Sequence, residues 1–195
     1  MSLKLSATRL FTPKATLLRE LDRVAEMTTA VLDALVEEMV PGTLDALREG
    51  DPLMEGDLEQ RRGAMATVHE RRVASMVEAV GEDEAVRRGR KRLLPVGERL
   101  GAEARQRLGV GEGLGDLVDA ATVMYRVLGI EFEPEEREDG ALVLHIDRCA
   151  LSEGYSEVTC RLMSAADEGM IRGLNPDVEM TFRERITGGL SLIHI

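Results

Sequence analysis

The amino-acid sequence predicts an α+β protein: an N-terminal helical region, then a β-β-α-β-β unit with an antiparallel sheet covered by helices. Three observations carry this reading. Apolar residues recur at spacings of three and four from residue 14 to about residue 128. The period changes to two after Gly129, and again at Val178. One helical stretch, 156–172, separates the two pairs of alternating segments, and separate runs of helices and strands favour an antiparallel sheet. The division falls into a helical region at 1–81 and an α+β region at 82–195. No internal repeat of 20–50 residues is visible.

Residues 14–39 read as one long helix, for which Thr12-Pro13 supplies a capping hydroxyl and a first-turn proline. Leu17, Leu21, Val24, Thr28, Val31 and Leu35 form a heptad-like seam, with Leu18, Ala25 and Leu32 beside them. Two burials satisfy such a seam: against helices of the same chain, or against a second copy in a homodimer. Pro41-Gly42 ends the helix, and a short one follows at 43–48. Asp51-Pro52 then caps a stretch in which Leu58, Met65, Val68, Val73, Met76 and Val80 keep the helical period to about residue 80. After Gly81, helical pieces at 82–93 and 96–108 flank Pro95, which lacks the amide donor a helix interior needs. Gly109 to Gly115 reads as a flexible link before a helix at 114–128.

Beyond Gly129, Ile130 to Glu133 and Ala141 to Ile146 alternate, and Glu138-Asp139-Gly140 between them suits a hairpin turn. The helix at 156–172 is closed by Gly173 and Pro176. Val178, Met180 and Phe182 alternate with polar residues as a half-buried strand, and Gly188-Gly189 turns the chain into a last strand, 190–195.

Composition narrows the function classes. The chain has 195 residues, 44% of them hydrophobic, which is enough for a core. Aromatics are 3% with no Trp, so that core is built from Leu, Val, Ala and ten Met. Its 25 Lys+Arg against 36 Asp+Glu give a net charge of −11, which argues against general nucleic-acid binding. No run of 18 apolar residues suggests a membrane span. The segment from Met1 to Phe11 is too short and polar for a secretory signal, so the expected location is cytoplasmic. In that compartment Cys149 and Cys160 are expected as free thiols or ligands.

Few segments invite chemistry. Gly109 to Gly115 is glycine-rich but follows a helix and lacks the Lys-Ser/Thr of a phosphate loop. Arg87 to Arg92 is the basic run, expected as a solvated face paired with acidic neighbours, the Glu131 to Asp139 segment being one candidate partner. His69, followed by Glu70-Arg71-Arg72, reads as surface. The region 145–171 is richer. Cys160, Ser164 and Asp167 fall about one turn apart on one helical stripe, so Cys160 with Asp167 or a histidine could form a thiolate site. Cys149, Cys160, His145 and His194 could make a Cys2His2 metal site, although Cys-x10-Cys is not a zinc-finger spacing. Against both stands the plain reading of two small buried hydrophobes and two satisfied sheet histidines.

An ordered series also carries a resemblance. It comprises Leu128-Gly129-Ile130-Glu131-Phe132, Arg148-Cys149-Ala150-Leu151, Cys160 with Ala166-Asp167-Glu168-Gly169, Gly173-Leu174-Asn175-Pro176, and Gly188-Gly189 before a short final strand. Over residues 82–195 this resembles the L-2-amino-thiazoline-4-carboxylic acid hydrolase-like proteins and the related vinyl-4-reductase-type small-molecule-binding domains. In that family cysteines recur after the third-last strand, twice on the helix at Cys-x3-Cys spacing, and in the final strand after Gly-Asp. Here the first two match Cys149 and Cys160. Ser164 stands at the next, Leu192 near the last, and Gly189 where the family often has Asp. A four-cysteine site is therefore not available, and zinc or iron would need His145 or His194.

The resemblance implies a ligand-binding domain, a sensor or accessory protein whose pocket includes Cys149, Cys160 and Ser164. It also implies an alternative, a hydrolase opening a cyclic C–N bond with Cys160 as nucleophile or metal ligand and Asp167 handling protons.

Overall fold

The computed structural model describes residues 3–138, 140–184 and 192–194, of which 3–4, 183–184 and 192–194 by backbone alone. The chain is mixed helix and sheet. In order it forms α1 (Leu3–Leu10), α2 (Lys14–Met39), α3 (Leu44–Glu49), α4 (Leu58–Val80), α5 (Glu82–Leu108), α6 (Leu114–Leu128), β1 (Ile130–Glu136), β2 (Leu142–Cys149), α7 (Glu157–Leu174), β3 (Thr181–Glu184) and β4 (Leu192–His194). The strands lie in the order β1-β2-β4-β3, every neighbouring pair antiparallel. Among the described residues no helix is long and apolar enough to cross a membrane.

Several helix boundaries follow capping chemistry rather than the residues the sequence reading favoured. Pro13, not Thr12, holds the N-cap position of α2, and the Thr12 hydroxyl bonds back to the Thr8 carbonyl at 2.8 Å. Asp51-Pro52 does not start α4. Asp57 does, in a capping box with Gln60, because its carboxylate accepts the Gln60 amide while the Gln60 side chain accepts the Asp57 amide. Asp51 instead accepts from Arg71 and Arg72. Ser156 caps α7. The glycine link before α6 is tied down: the Gly111 amide donates to the Asp116 carboxylate and Asn175 donates to the Glu112 carbonyl. The β1–β2 turn closes with Gly140 at φ +82°, a conformation that favours glycine, and Asp139 of that turn lies outside the described residues. Residues 178–180 run into β3 without pairing among the described residues, and the strand starts at Thr181.

The seam of α2 is satisfied within the chain. Leu17, Leu21, Ala25, Thr28, Leu32 and Leu35 are buried, in clusters that also take residues from α4, α5, α6 and α7. The cores draw on both sides of residue 81. One joins Leu5 and Ala104 to the sheet residues Leu142 and Leu144, and to Met170 and Leu174 of α7.

Pro95 does not divide α5, which runs unbroken through it. A proline inside an isolated helix costs ~3 kcal/mol or more. Packing against α7 offsets that cost. Directly after Pro95, Gly97 and Gly101 face α7, whose Gly169 and Gly173 face back. A Cβ at Gly97 would collide with the Ala166 carbonyl oxygen and one at Gly101 with that of Met170. On α7, Gly169 would strike the Leu94 carbonyl and Gly173 that of Glu98. The two helices thus touch backbone to backbone, an approach only glycine permits.

This contact makes a testable prediction. Gly97→Ala should lower unfolding free energy by about 1–3 kcal/mol, because neither backbone can retreat independently. Gly63→Ala, inside α4 with open space around its Cβ, should be neutral or stabilise by up to ~1 kcal/mol. Urea denaturation of both variants checks the pair; equal stabilities would remove the close contact.

Candidate functional site

Two adjoining cavities share walls from α2, α6 and α7; the smaller lies where these and α4 meet the sheet, and the larger extends toward α1 and α5. One has a volume of about 100 Å³, the other about 270 Å³, and both are bounded by Val24, Thr28, Leu128, Ala166 and Asp167. The walls are mostly apolar. Met65, Ile130, Ile146, Leu151, Met163 and Phe182 contribute to the smaller cavity, and Leu17, Leu100, Val123 and Met170 to the larger.

Cys149 reaches this space through an irregularity in the sheet. Glu131 pairs with Arg148 but Phe132 pairs with Ile146, so Asp147 is an extra residue on β2. Strict alternation would put Ile146 and Cys149 on opposite faces. The bulge restores them to one face, and both line the smaller cavity. On α7, Cys160, Ser164 and Asp167 line it together, as their helical stripe predicts. Cys149 and Cys160 are not joined in a disulfide, and both are partly buried. Burial pushes the Cys149 thiol up to about 11, against stabilising backbone hydrogen bonds from Leu151 and Ser152, so at neutral pH it is a thiol rather than a thiolate.

His69 is a correction to the sequence reading. It is not a surface residue but 1% exposed, and it lines the same cavity. Its Nε2 lies 3.0 Å from the Thr28 hydroxyl and its Nδ1 2.6 Å from the Tyr155 hydroxyl. The Thr28 hydroxyl donates to the Val24 carbonyl at 2.8 Å, so Nε2 carries the proton and donates to Thr28. Burial, with the Arg72 charge behind it, pushes His69 down to about 3. A neutral ring protonated on Nε2 leaves Nδ1 as an acceptor, so Tyr155 donates to it. The Tyr155 oxygen keeps its lone pairs for the cavity. The spacing that could have revealed His69 is its place four residues after Met65 and four before Val73, on the buried stripe of α4.

Two polar groups of residues in the cavity wall lack partners among the described residues. Tyr125 is 1% exposed, packs edge-on against Phe132, and its hydroxyl has no hydrogen bond with any described residue. Asp167 makes no hydrogen bond or ion pair with any described residue, and the surface it keeps lines both cavities. Burial raises its carboxyl to about 7, with the neighbouring Glu168 adding to the shift. Glu168 itself takes Arg90, at 2.6 Å. At the far part of the larger cavity, Arg107 is held by both oxygens of Glu20.

His145 does not join the thiols. His145 extends from the other face of β2 and bonds Glu135 at 2.6 Å, since it neighbours Ile146 on a strand whose side chains alternate. The side chain of His194 lies outside the described residues. Among the described residues, no group of three or more His, Cys, Asp or Glu is placed to hold a metal ion. With Cys149 protonated and His145 on the other face of β2, the cavity does not fit a zinc or iron centre built from Cys149, Cys160 and His145. The basic run does pair with acids, but not with the β1 segment. Arg87 and Arg88 hold Glu84, Arg88 and Arg92 reach Glu38, and Arg90 holds Glu168. Glu131 faces Arg148 instead.

Comparisons with protein-family models, curated proteins and solved structures find no match to this chain.

The buried carboxyl sets a pH dependence. A carboxyl raised to about 7 in the folded state, from an ordinary 3.8, binds its proton more tightly folded than unfolded. Its contribution to stability is present in full below the unfolded value and is lost as pH rises through about 7. Asp167→Asn should therefore stabilise the protein at pH 8, on the order of 2 kcal/mol, and change little at pH 4. Denaturation midpoints at the two pH values test this; a variant less stable than wild type at pH 8 would contradict an unpaired buried carboxyl.

Proposed function

We propose that this chain is a small-molecule-binding domain of the vinyl-4-reductase and thiazoline-hydrolase type, acting as a sensor or accessory protein without a complete metal–cysteine site. The observation that carries this reading is the pair of adjoining apolar cavities with a few polar groups gathered on one wall. Ligand sites of small molecules have this character: concave, apolar, with sparse polar groups that fix orientation. The resemblance over residues 82–195, the strand–strand–helix–strand–strand order after Gly129, and the convergence of Cys149, Cys160 and Ser164 on one cavity support it. An engineered cavity of about 150 Å³ binds benzene, so a ligand of one ring suits spaces of this size.

The test fills the cavity. Ala166 borders both spaces, and Ala166→Leu places three further carbons in them. Ligand-detected NMR with single-ring compounds should show binding to wild-type protein and at least a tenfold weakening, about 1.4 kcal/mol, in Ala166→Leu, with unchanged far-UV circular dichroism. Equal binding by both proteins would place the ligand elsewhere.

A hydrolase is the second reading, favoured by Cys160 and Asp167 sharing one cavity wall. There Cys160 would attack the ring carbon of a cyclic C–N bond, and Asp167, near half-protonated at neutral pH, would pass a proton to the departing nitrogen. Under the binding reading, wild-type protein and Cys160→Ala both leave a thiazoline acid unchanged in a product assay. Turnover by wild type that falls about a hundredfold or more in Cys160→Ala would replace binding by hydrolysis.

A further inference from the structure

Resting on the binding reading, we propose that the ligand is a compact organic cation, a protonated amine carried on a single apolar ring, with the Asp167 carboxylate as its counter-ion. Three features of the cavity point there. First, Asp167 sits on the wall common to both spaces and has no partner among the described residues, so a ligand entering either one meets it.

Second, among the described residues the charged groups around it leave no unengaged cation to answer it. From α2 the cavity takes Thr28, from α4 the neutral His69, and from α6 Tyr125. From β2 and the segment after it come Cys149 and Tyr155, and on its own helix stand Cys160 and Glu168. From α5, Arg90 is engaged by Glu168 and the Ser164 hydroxyl. The Arg107 guanidinium of the larger cavity is bound at both ends to Glu20, and Arg72, behind His69, is bound to Asp33 and Asp51. A negative charge in an apolar cavity is costly unless paired, and the pairing left open is with a ligand.

Third, the remaining polar groups suit an ammonium. Its three N–H bonds need three acceptors. The carboxylate supplies two oxygens, and the Tyr155 oxygen has lone pairs free because its hydrogen goes to His69. An anionic ligand would meet a carboxylate and, among the described residues, no free positive charge. A metal cation would find no cluster of three ligating groups among the described residues.

Benzylamine and benzyl alcohol separate the outcomes, being of equal size and differing in charge. Isothermal titration at pH 8 should give benzylamine an affinity about tenfold or more above that of benzyl alcohol. Asp167→Asn should abolish that preference, while Glu78→Gln, an exposed change of equal charge, should preserve it. Between pH 8 and pH 6 the affinity for benzylamine should fall about tenfold, as a carboxyl titrating near 7 takes up its proton, while that for benzyl alcohol stays level.

Equal affinities at pH 8, or a preference that survives Asp167→Asn, would overturn the counter-ion while leaving the cavity a binding site. Benzylamine affinity that rises on acidification would also overturn it, in favour of a protonated carboxyl donating to a neutral acceptor. Binding of neither compound would fell the cavity reading and this proposal together.

Discussion

The backbone contact between α5 and α7 is the constraint on which the rest of the molecule depends. Four glycines, Gly97 and Gly101 on one helix and Gly169 and Gly173 on the other, bring the two main chains together. That contact fixes the rotation of α7 about its own axis. With the glycine face held against α5, the stripe of Cys160, Ser164 and Asp167 is turned toward the sheet and the cavities. Rotating α7 by one residue would carry Asp167 about 100° round the helix, given 3.6 residues per turn. The same contact lets α5 continue through Pro95, since a helix held along its length does not need every internal hydrogen bond.

Buried charge is handled in two contrasting ways. Arg72, 1% exposed, is bound to Asp33, Asp51 and the Val68 carbonyl. Arg62, also buried, donates to the Arg126 and Val127 carbonyls at the end of α6 and to Glu59. Even His69 has both ring nitrogens engaged. A chain that satisfies these groups so fully has the means to satisfy Asp167 as well. Instead, among the described residues, Asp167 and the Tyr125 hydroxyl are left without a partner, both in residues of the cavity wall. Unpartnered polar groups are expensive in a core that nothing enters; beside a space of ligand size they are the groups that give recognition its direction.

Legibility in the sequence varied with how local the cause was. The helices at 14–39 and 114–128 follow from apolar period and flanking proline or glycine, and appear with those bounds. The stripe of Cys160, Ser164 and Asp167 was legible for the same reason, because helical spacing alone places three residues on one face. What escaped has non-local causes. Pro95 obeys the tertiary contact of the glycines around it rather than its own propensity. Cys149 enters the cavity only because Asp147 is unpaired against β1, a register no single strand reveals. His69 was hidden by its polar neighbours, although Arg72 beside it is buried too and the stripe from Met65 to Val73 includes both. His145 carried the opposite error: chain proximity to Cys149 suggested shared work, and strand alternation sends it to the other face with Glu135.

These placements bear on which chemistry the cavity can support. A nucleophilic thiol needs its anion stabilised, by a cation, a helix N-terminus or a metal. Cys149 is moved the other way by burial, to about 11. Cys160 lies in the first turn of α7, whose N-terminal amides would favour an anion, but the carboxyl that shares its cavity would oppose one whenever it is ionised. The two requirements of a thiolate mechanism, an anionic sulfur and an ionised carboxylate as base, therefore compete in one apolar volume. A ligand bearing positive charge removes that competition, since it neutralises the carboxylate without asking either thiol to ionise. On electrostatic grounds the same wall that hinders a thiolate nucleophile serves the recognition of a cation.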